Sequence, residues 1–165
     1  HYFYLVSIVI FKFFYFLKKG ISNMIILSID LGKVRTGVAI CDKNEILASP
    51  VGTLIEKNED ILINKIIEKI HELKAETVVI GLPKNMNGTM GESALRAQKL
   101  AEMLRKRINI PVDLWDERKT TVTAHEYLNQ TNVRGKKRKN IIDTVSASII
   151  LENYMQFRKL KLNEK

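Results

Sequence analysis

The spacing of hydrophobic and polar residues changes along this chain and predicts alternating strands and helices from residue 24 onward. Residues 25–30, Ile-Ile-Leu-Ser-Ile-Asp, form a short β-branched run that ends on a carboxylate. Residues 37–41 and 46–51 read as two further strands joined by a tight Asp42-Lys43-Asn44 turn. Apolar residues at Ile61, Ile63, Ile66, Ile67, Ile70 and Leu73 then follow helical spacing, which predicts an amphipathic helix over 60–73. Residues 77–81 are continuously apolar, as buried parallel strands are. The loop over 82–90, with Pro83 and an Asn87-Gly88 turn signal, is longer than the usual strand-to-helix connection of about 2–6 residues and reads as a substrate-facing flap. A helix over 92–107 and a strand over 112–116, again ending on a carboxylate, come next. Thr120 or Thr121 caps a predicted helix running to 129, and a terminal helix is expected from 141 to about 157. This order predicts an α/β domain with one mixed five-stranded sheet, an antiparallel opening meander followed by parallel strands, flanked by helices.

Residues 1–23 break the pattern. Eight of the twelve aromatic residues lie within 2–16, in a nearly continuous apolar run interrupted by Ser7 and Lys12. The run is short against the roughly 20 residues of a spanning helix. It lacks the charged segment before it and the small-residue cleavage site of a secretory signal. A membrane anchor with Lys18 and Lys19 inside satisfies the charge rule. The favoured expectation is that this leader lies outside the native domain, because Met24 stands immediately before the first strand. The expected division is therefore a leader over 1–23, one domain over 24–158 and a basic tail over 159–165.

Composition narrows the function. Cys41 is the only cysteine, and with His1, His71 and His125 it offers no zinc-ligand spacing, so a disulfide scaffold and a structural zinc module are excluded. The chain carries 27 Lys and Arg against 18 Asp and Glu, a formal charge of +9. Without the leader 24 basic residues still face 18 acidic ones, which suits a polyanionic partner.

Ligands of such sheets gather beyond the carboxyl ends of the strands, where Asp30 and Asp116 are expected. Asp143 falls in the first turn of the terminal helix, where a carboxylate also suits the helix dipole. Each has an ordinary structural reading alone. Together, carboxylates converging at one sheet end call for a hard divalent cation such as Mg²⁺, which takes oxygen ligands. A pair of such ions can activate water and stabilise the leaving oxygen of a phosphodiester.

Several segments occur in order: Ile29-Asp30-Leu31-Gly32-Lys33-Val34-Arg35-Thr36-Gly37, Ala48-Ser49-Pro50, Val79-Ile80-Gly81-Leu82-Pro83-Lys84-Asn85-Met86-Asn87-Gly88-Thr89, Asp116-Glu117-Arg118-Lys119-Thr120-Thr121, and Asp143. Over 24 to about 157 this resembles the YqgF family, RNase H-like proteins described as nucleases of pre-16S rRNA and earlier as Holliday junction resolvases. The resemblance implies an RNase H-like fold, with Asp30, Asp116 and Asp143 as catalytic, metal-binding carboxylates and Mg²⁺ or Mn²⁺ as cofactor. Related resolvases carry another acid near the end of the fourth strand. Here that stretch reads Val79-Ile80-Gly81, and Glu117 is the candidate substitute, although strict alternation points it away from the face of Asp116.

Phosphate contacts are expected from Lys33 and Arg35 beside the first strand, Asn85 in the long loop, Arg118, and Lys136, Lys137, Arg138 and Lys139. Solvated loops are the alternative reading for the two basic stretches. The expected function is metal-dependent hydrolysis of structured nucleic acid, in maturation of the 5′ end of pre-16S rRNA, by a cytoplasmic monomer or homodimer with no stable membrane association. Resolution of branched DNA, a non-catalytic RNA-binding module and an actin-like or sugar-kinase ATPase are the alternatives. The last closes two lobes around its nucleotide, and residues 24–165 supply one.

Overall fold

The structure, a computed structural model, describes residues 23–119 and 136–163; for 136–144 and 163 only the backbone is described. Five strands, β1 (Ile26–Leu31), β2 (Arg35–Cys41), β3 (Ala48–Ile55), β4 (Thr77–Leu82) and β5 (Val112–Asp116), form one sheet in the order β3-β2-β1-β4-β5. β1, β2 and β3 pair antiparallel, whereas β4 runs parallel to β1 and β5 parallel to β4. This is the mixed sheet that the sequence pattern predicts. The helices are α1 (Glu59–Glu72), α2 (Glu92–Arg107) and α3 (Lys136–Asn163), and a single 3₁₀ turn, Glu117–Lys119, follows β5. The leader, the helix expected up to 129 and residues 164–165 lie outside the described residues.

Several boundaries differ from expectation, and two elements show the physical reasons. β3 begins at Ala48 rather than residue 46, because the Asp42 carboxylate gathers the N–H groups of Asn44, Ile46 and Leu47 at 3.1, 2.7 and 2.7 Å. Ile46 and Leu47 thus belong to the turn and stand exposed. α3 starts at Lys136 and runs through Asn163, absorbing both the basic stretch and most of the expected tail. Lys, Arg and Leu are good helix formers, and no Pro or Gly interrupts 136–163.

α1 shows how local chemistry sets an element. Asn58 caps it by accepting from the N–H groups of Asp60 and Ile61 at 3.0 and 3.1 Å, with Glu59 and Asp60 in its first turn. Beyond Leu73 the chain turns through Lys74 at φ +53°, and the Ala75 N–H closes back on Ile70 C=O at 3.0 Å.

The pleat sends alternate residues of the central strands to two cores. Leu27, Ile29, Val78, Ile80 and Val112 join α1 and α2 on one face. Ile26, Ala39, Val79 and Trp115 meet Ala147, Ile150, Leu151 and Tyr154 of α3 on the other. The Ser28 hydroxyl donates to the carbonyl of Ala147, and the Tyr154 hydroxyl to Asp113, which fixes the long helix across this second face. Among the described residues no helix is long and apolar enough to cross a membrane.

Candidate active site at the carboxyl edge of the sheet

The three parallel strands end at one edge. Ile29 pairs with Ile80, and Leu82 with Asp116, so the ends of β1, β4 and β5 are level. Asp30 follows Ile26 and Ser28 in alternation and therefore belongs to the α3 face. In the antiparallel register it sits opposite Gly37.

β5 divides its acids between the faces. Asp113 and Trp115 are held against α3, whereas Val112 packs with α1 and α2 and shares its side with Asp116. Asp116 is committed to Arg118: it accepts from Nε at 3.0 and 3.2 Å, from Nη2 at 2.6 Å and from the Arg118 backbone N–H at 3.1 Å. Lys84 stands 4.0 Å away. The Arg118 hydrogen bonds above all lower the Asp116 pKa to about 2.

Glu117 takes the opposite course. The 3₁₀ turn brings its half-buried carboxyl onto the α3 face, where burial first, then the charge of Asp30 and then that of Asp116 raise its pKa to about 7. Its seat is the space beside Gly81. A Cβ on Gly81 would collide with Glu117 Oε1 and come within 2.6 Å of Ile150 Cδ1 of α3.

The flanking groups are arranged around this edge. The Gly32 N–H bonds Arg35 C=O at 3.0 Å, closing the β1–β2 turn with Lys33 exposed at its tip. Arg35 begins β2 on the same face as Gly37. In the long loop, Asn85 C=O accepts from Gly88 N–H at 2.8 Å, and Asn85 Nδ2 donates to Thr89 Oγ1 at 2.8 Å. Gly88, at φ +85°, lets the loop lie over Arg118, whose Nη1 would be 3.2 Å from a Cβ there. Asp143 lies in α3 one turn before Ala147, whose carbonyl is tied to Ser28, but its side chain is outside the described residues. The same holds for the side chains of Lys136, Lys137, Arg138 and Lys139. Among the described residues no three His, Cys, Asp or Glu side chains form a metal-binding group on their own.

A model of the RuvX family, described as Holliday junction resolvase, matches residues 24–157. The chain belongs to this family. RuvX is the family also called YqgF, so the resemblance read from the motifs holds. A Clostridium acetobutylicum protein named "Putative pre-16S rRNA nuclease" is 39% identical over 132 residues, covering 80% of this chain and 98% of that one. A Halothermothrix orenii protein of the same name is 38% identical over 135 residues, covering 82% and 96%. Among solved structures, Thermus thermophilus RuvC in complex with a Holliday junction substrate matches at a TM-score of 0.56 and 12% identity, over 82% of this chain and 96% of that one. The yeast mitochondrial Holliday junction resolvase Ydc2 matches at 0.52 and 14% identity, over 87% and 83%. These two likenesses concern the fold, which is the expected RNase H-like one. The expected nuclease class is that of the RuvX family and of the named relatives.

At this edge the sequence pattern names Asp30 and Asp116 and offers Glu117 as a substitute acid that strict alternation points elsewhere; the 3₁₀ turn instead brings Glu117 to the α3 face. The alternation is visible in the sequence; which face carries the site depends on where α3 packs. The role of Gly81 leaves no signal beyond a glycine inside a strand, which marks a close approach without naming what approaches.

Proposed function

We propose that this RuvX chain is a divalent-cation-dependent nuclease for structured RNA, acting on the 5′ end of pre-16S rRNA, and that Asp30 and Glu117 hold the cation together with Asp143. The observation that carries this reading is the seating of the Glu117 carboxylate beside Gly81, the neighbour of Asp30 on the adjacent strand, at the carboxyl edge of the parallel strands. Two carboxylates in a half-buried setting repel unless a proton or a cation is shared between them. The donors are hard oxygens, and the glycine cradle leaves room for the Glu117 carboxylate; this chemistry fits Mg²⁺ or Mn²⁺.

When bound, such a cation supplies activation of water and stabilisation of the leaving phosphoester oxygen. The residues do the rest. Asp30 is fixed by its place in β1, and Glu117 by its seat against Gly81 and Ile150. Asp116 acts in this reading by orienting Arg118, whose planar donor fork suits a phosphate. Lys84, Lys33, Arg35 and Asn85 edge the same site, and Lys136, Lys137, Arg138 and Lys139 extend the cationic track along the start of α3. A cytoplasmic location accords with this substrate.

RNA is favoured by the names of relatives near 40% identity, and branched DNA is the second reading, favoured by the description of the RuvX family. Cleavage of a pre-16S rRNA fragment and of a four-way DNA junction, in matched Mg²⁺ buffers, tests both. Cleavage of the RNA alone is expected; cleavage of the junction alone selects the second reading, and cleavage of neither with Mg²⁺ or Mn²⁺ overturns the assignment.

A further inference from the structure

Gly81 occupies a singular place in the sheet. It follows Ile80, the partner of Ile29, so it stands beside Asp30 in the next strand, and it pairs with Trp115 on its other side. A side chain at this position would project onto the α3 face, between Asp30 and β5. That volume is instead filled by the carboxylate of Glu117, with Ile150 of α3 closing it from above. The backbone requires no glycine here, since Gly81 is absent from the residues at positive φ. The requirement comes from the space its side chain would claim.

We propose that Gly81 is a positioning residue: its missing side chain is the seat that brings the Glu117 carboxylate to Asp30, so that an acid placed after β5 serves the space in front of β4. The inference rests on the cation-binding reading above. It predicts that position 81 and position 117 are coupled: an acid at 117 requires glycine at 81, and an acid at 81 requires a small residue at 117. A residue of any size at 81 displaces Glu117, whereas removal of Glu117 vacates the space and makes a side chain at 81 tolerable.

The test measures Mn²⁺ affinity of the intact protein by calorimetry, alongside thermal unfolding and cleavage. Gly81→Ala should weaken Mn²⁺ binding by about tenfold or more, the scale on which displaced ligand supports act. The same substitution in a Glu117→Ala background should cost no further affinity. Gly81→Asp combined with Glu117→Ala should recover affinity lost in Glu117→Ala alone. Should Gly81→Ala fail to fold against Ile150, Gly81→Ala with Ile150→Val relieves that contact and keeps the measurement possible. Equal losses from Gly81→Ala with and without Glu117, or an unchanged affinity where Glu117→Gln weakens it, overturn the seat while leaving the cation reading intact. If Glu117→Gln itself leaves Mn²⁺ affinity unchanged, the cation reading fails and the seat with it.

Discussion

The two faces of the central strands are built from interleaved residues of the same segments, yet they serve opposite ends. On the α1 and α2 side, Leu27, Ile29, Val78, Ile80 and Val112 continue an apolar layer. On the α3 side, Ile26, Val79 and Trp115 begin such a layer, but toward the carboxyl edge it gives way to Ser28, Asp30, Gly81 and Glu117. One strand thus feeds a core with its odd residues and a candidate site with its even ones, as the two-residue period permits. Asp116 and Glu117 condense the contrast into neighbouring residues. The first is stabilised as an anion near pKa 2 by Arg118, and the second is pushed to about 7 by burial and by Asp30.

The contrast breaks most sharply at Asp30. Asp30→Asn keeps the shape but removes the charge, and single-turnover cleavage in Mg²⁺ should fall by roughly a thousandfold or more. The melting temperature in the same buffer should hardly move; parental cleavage by the variant would return Asp30 to an ordinary turn residue. One position earlier the outcome should reverse. Ile29 is fully buried on the other face, so Ile29→Ala should cost about 3 kcal/mol in urea unfolding while the folded fraction cleaves near the parental rate.

A smaller effect is expected from pH. Glu117 has a folded pKa above its unfolded value, so the stability linked to its protonation is complete below pH 4.5 and is lost as pH rises through about 7. Without added cation, Glu117→Gln should remove a decline of roughly 1–3 kcal/mol across that window, and denaturant unfolding from pH 4 to 8 would show it. Parallel pH profiles for the two proteins would count against a buried, Asp30-facing Glu117. The smallest change lies far from either face: Lys74→Gly relieves a left-handed backbone at the end of α1 and should stabilise by about 0.5 kcal/mol without altering cleavage.

How far these features could be read in advance depended on whether their causes were local. The order of strands and helices follows from hydrophobic period, and α1 lies within one residue of its expected start because Asn58 and the isoleucines act on their own neighbourhood. The β3 boundary was displaced by the three hydrogen bonds of the Asp42 carboxylate, which compete with an apparently strand-like Ile46-Leu47. The basic run before Asp143 resembled a solvated loop, yet nothing in it opposes a helix. Asp30 announced itself at the end of an aliphatic strand. Glu117 was named only as a substitute, because its placement arises from a 3₁₀ turn, a glycine on the strand paired with β5 and a helix from much later in the chain.

Among the described residues α3 alone covers its face, as one uninterrupted rod secured by Ser28 near the candidate site and, at the other end, by Arg158, whose guanidinium meets Glu45 at 3.2 Å. A cover made of one element can lift as one unit, leaving α1 and α2 assembled on the opposite face of the sheet. The amides of the long helix should then exchange with solvent by a shallower opening than those of β1 and β4. Warming would silence cleavage before the sheet melts, since the wall of Ile150 and the backbone of Asp143 depart together.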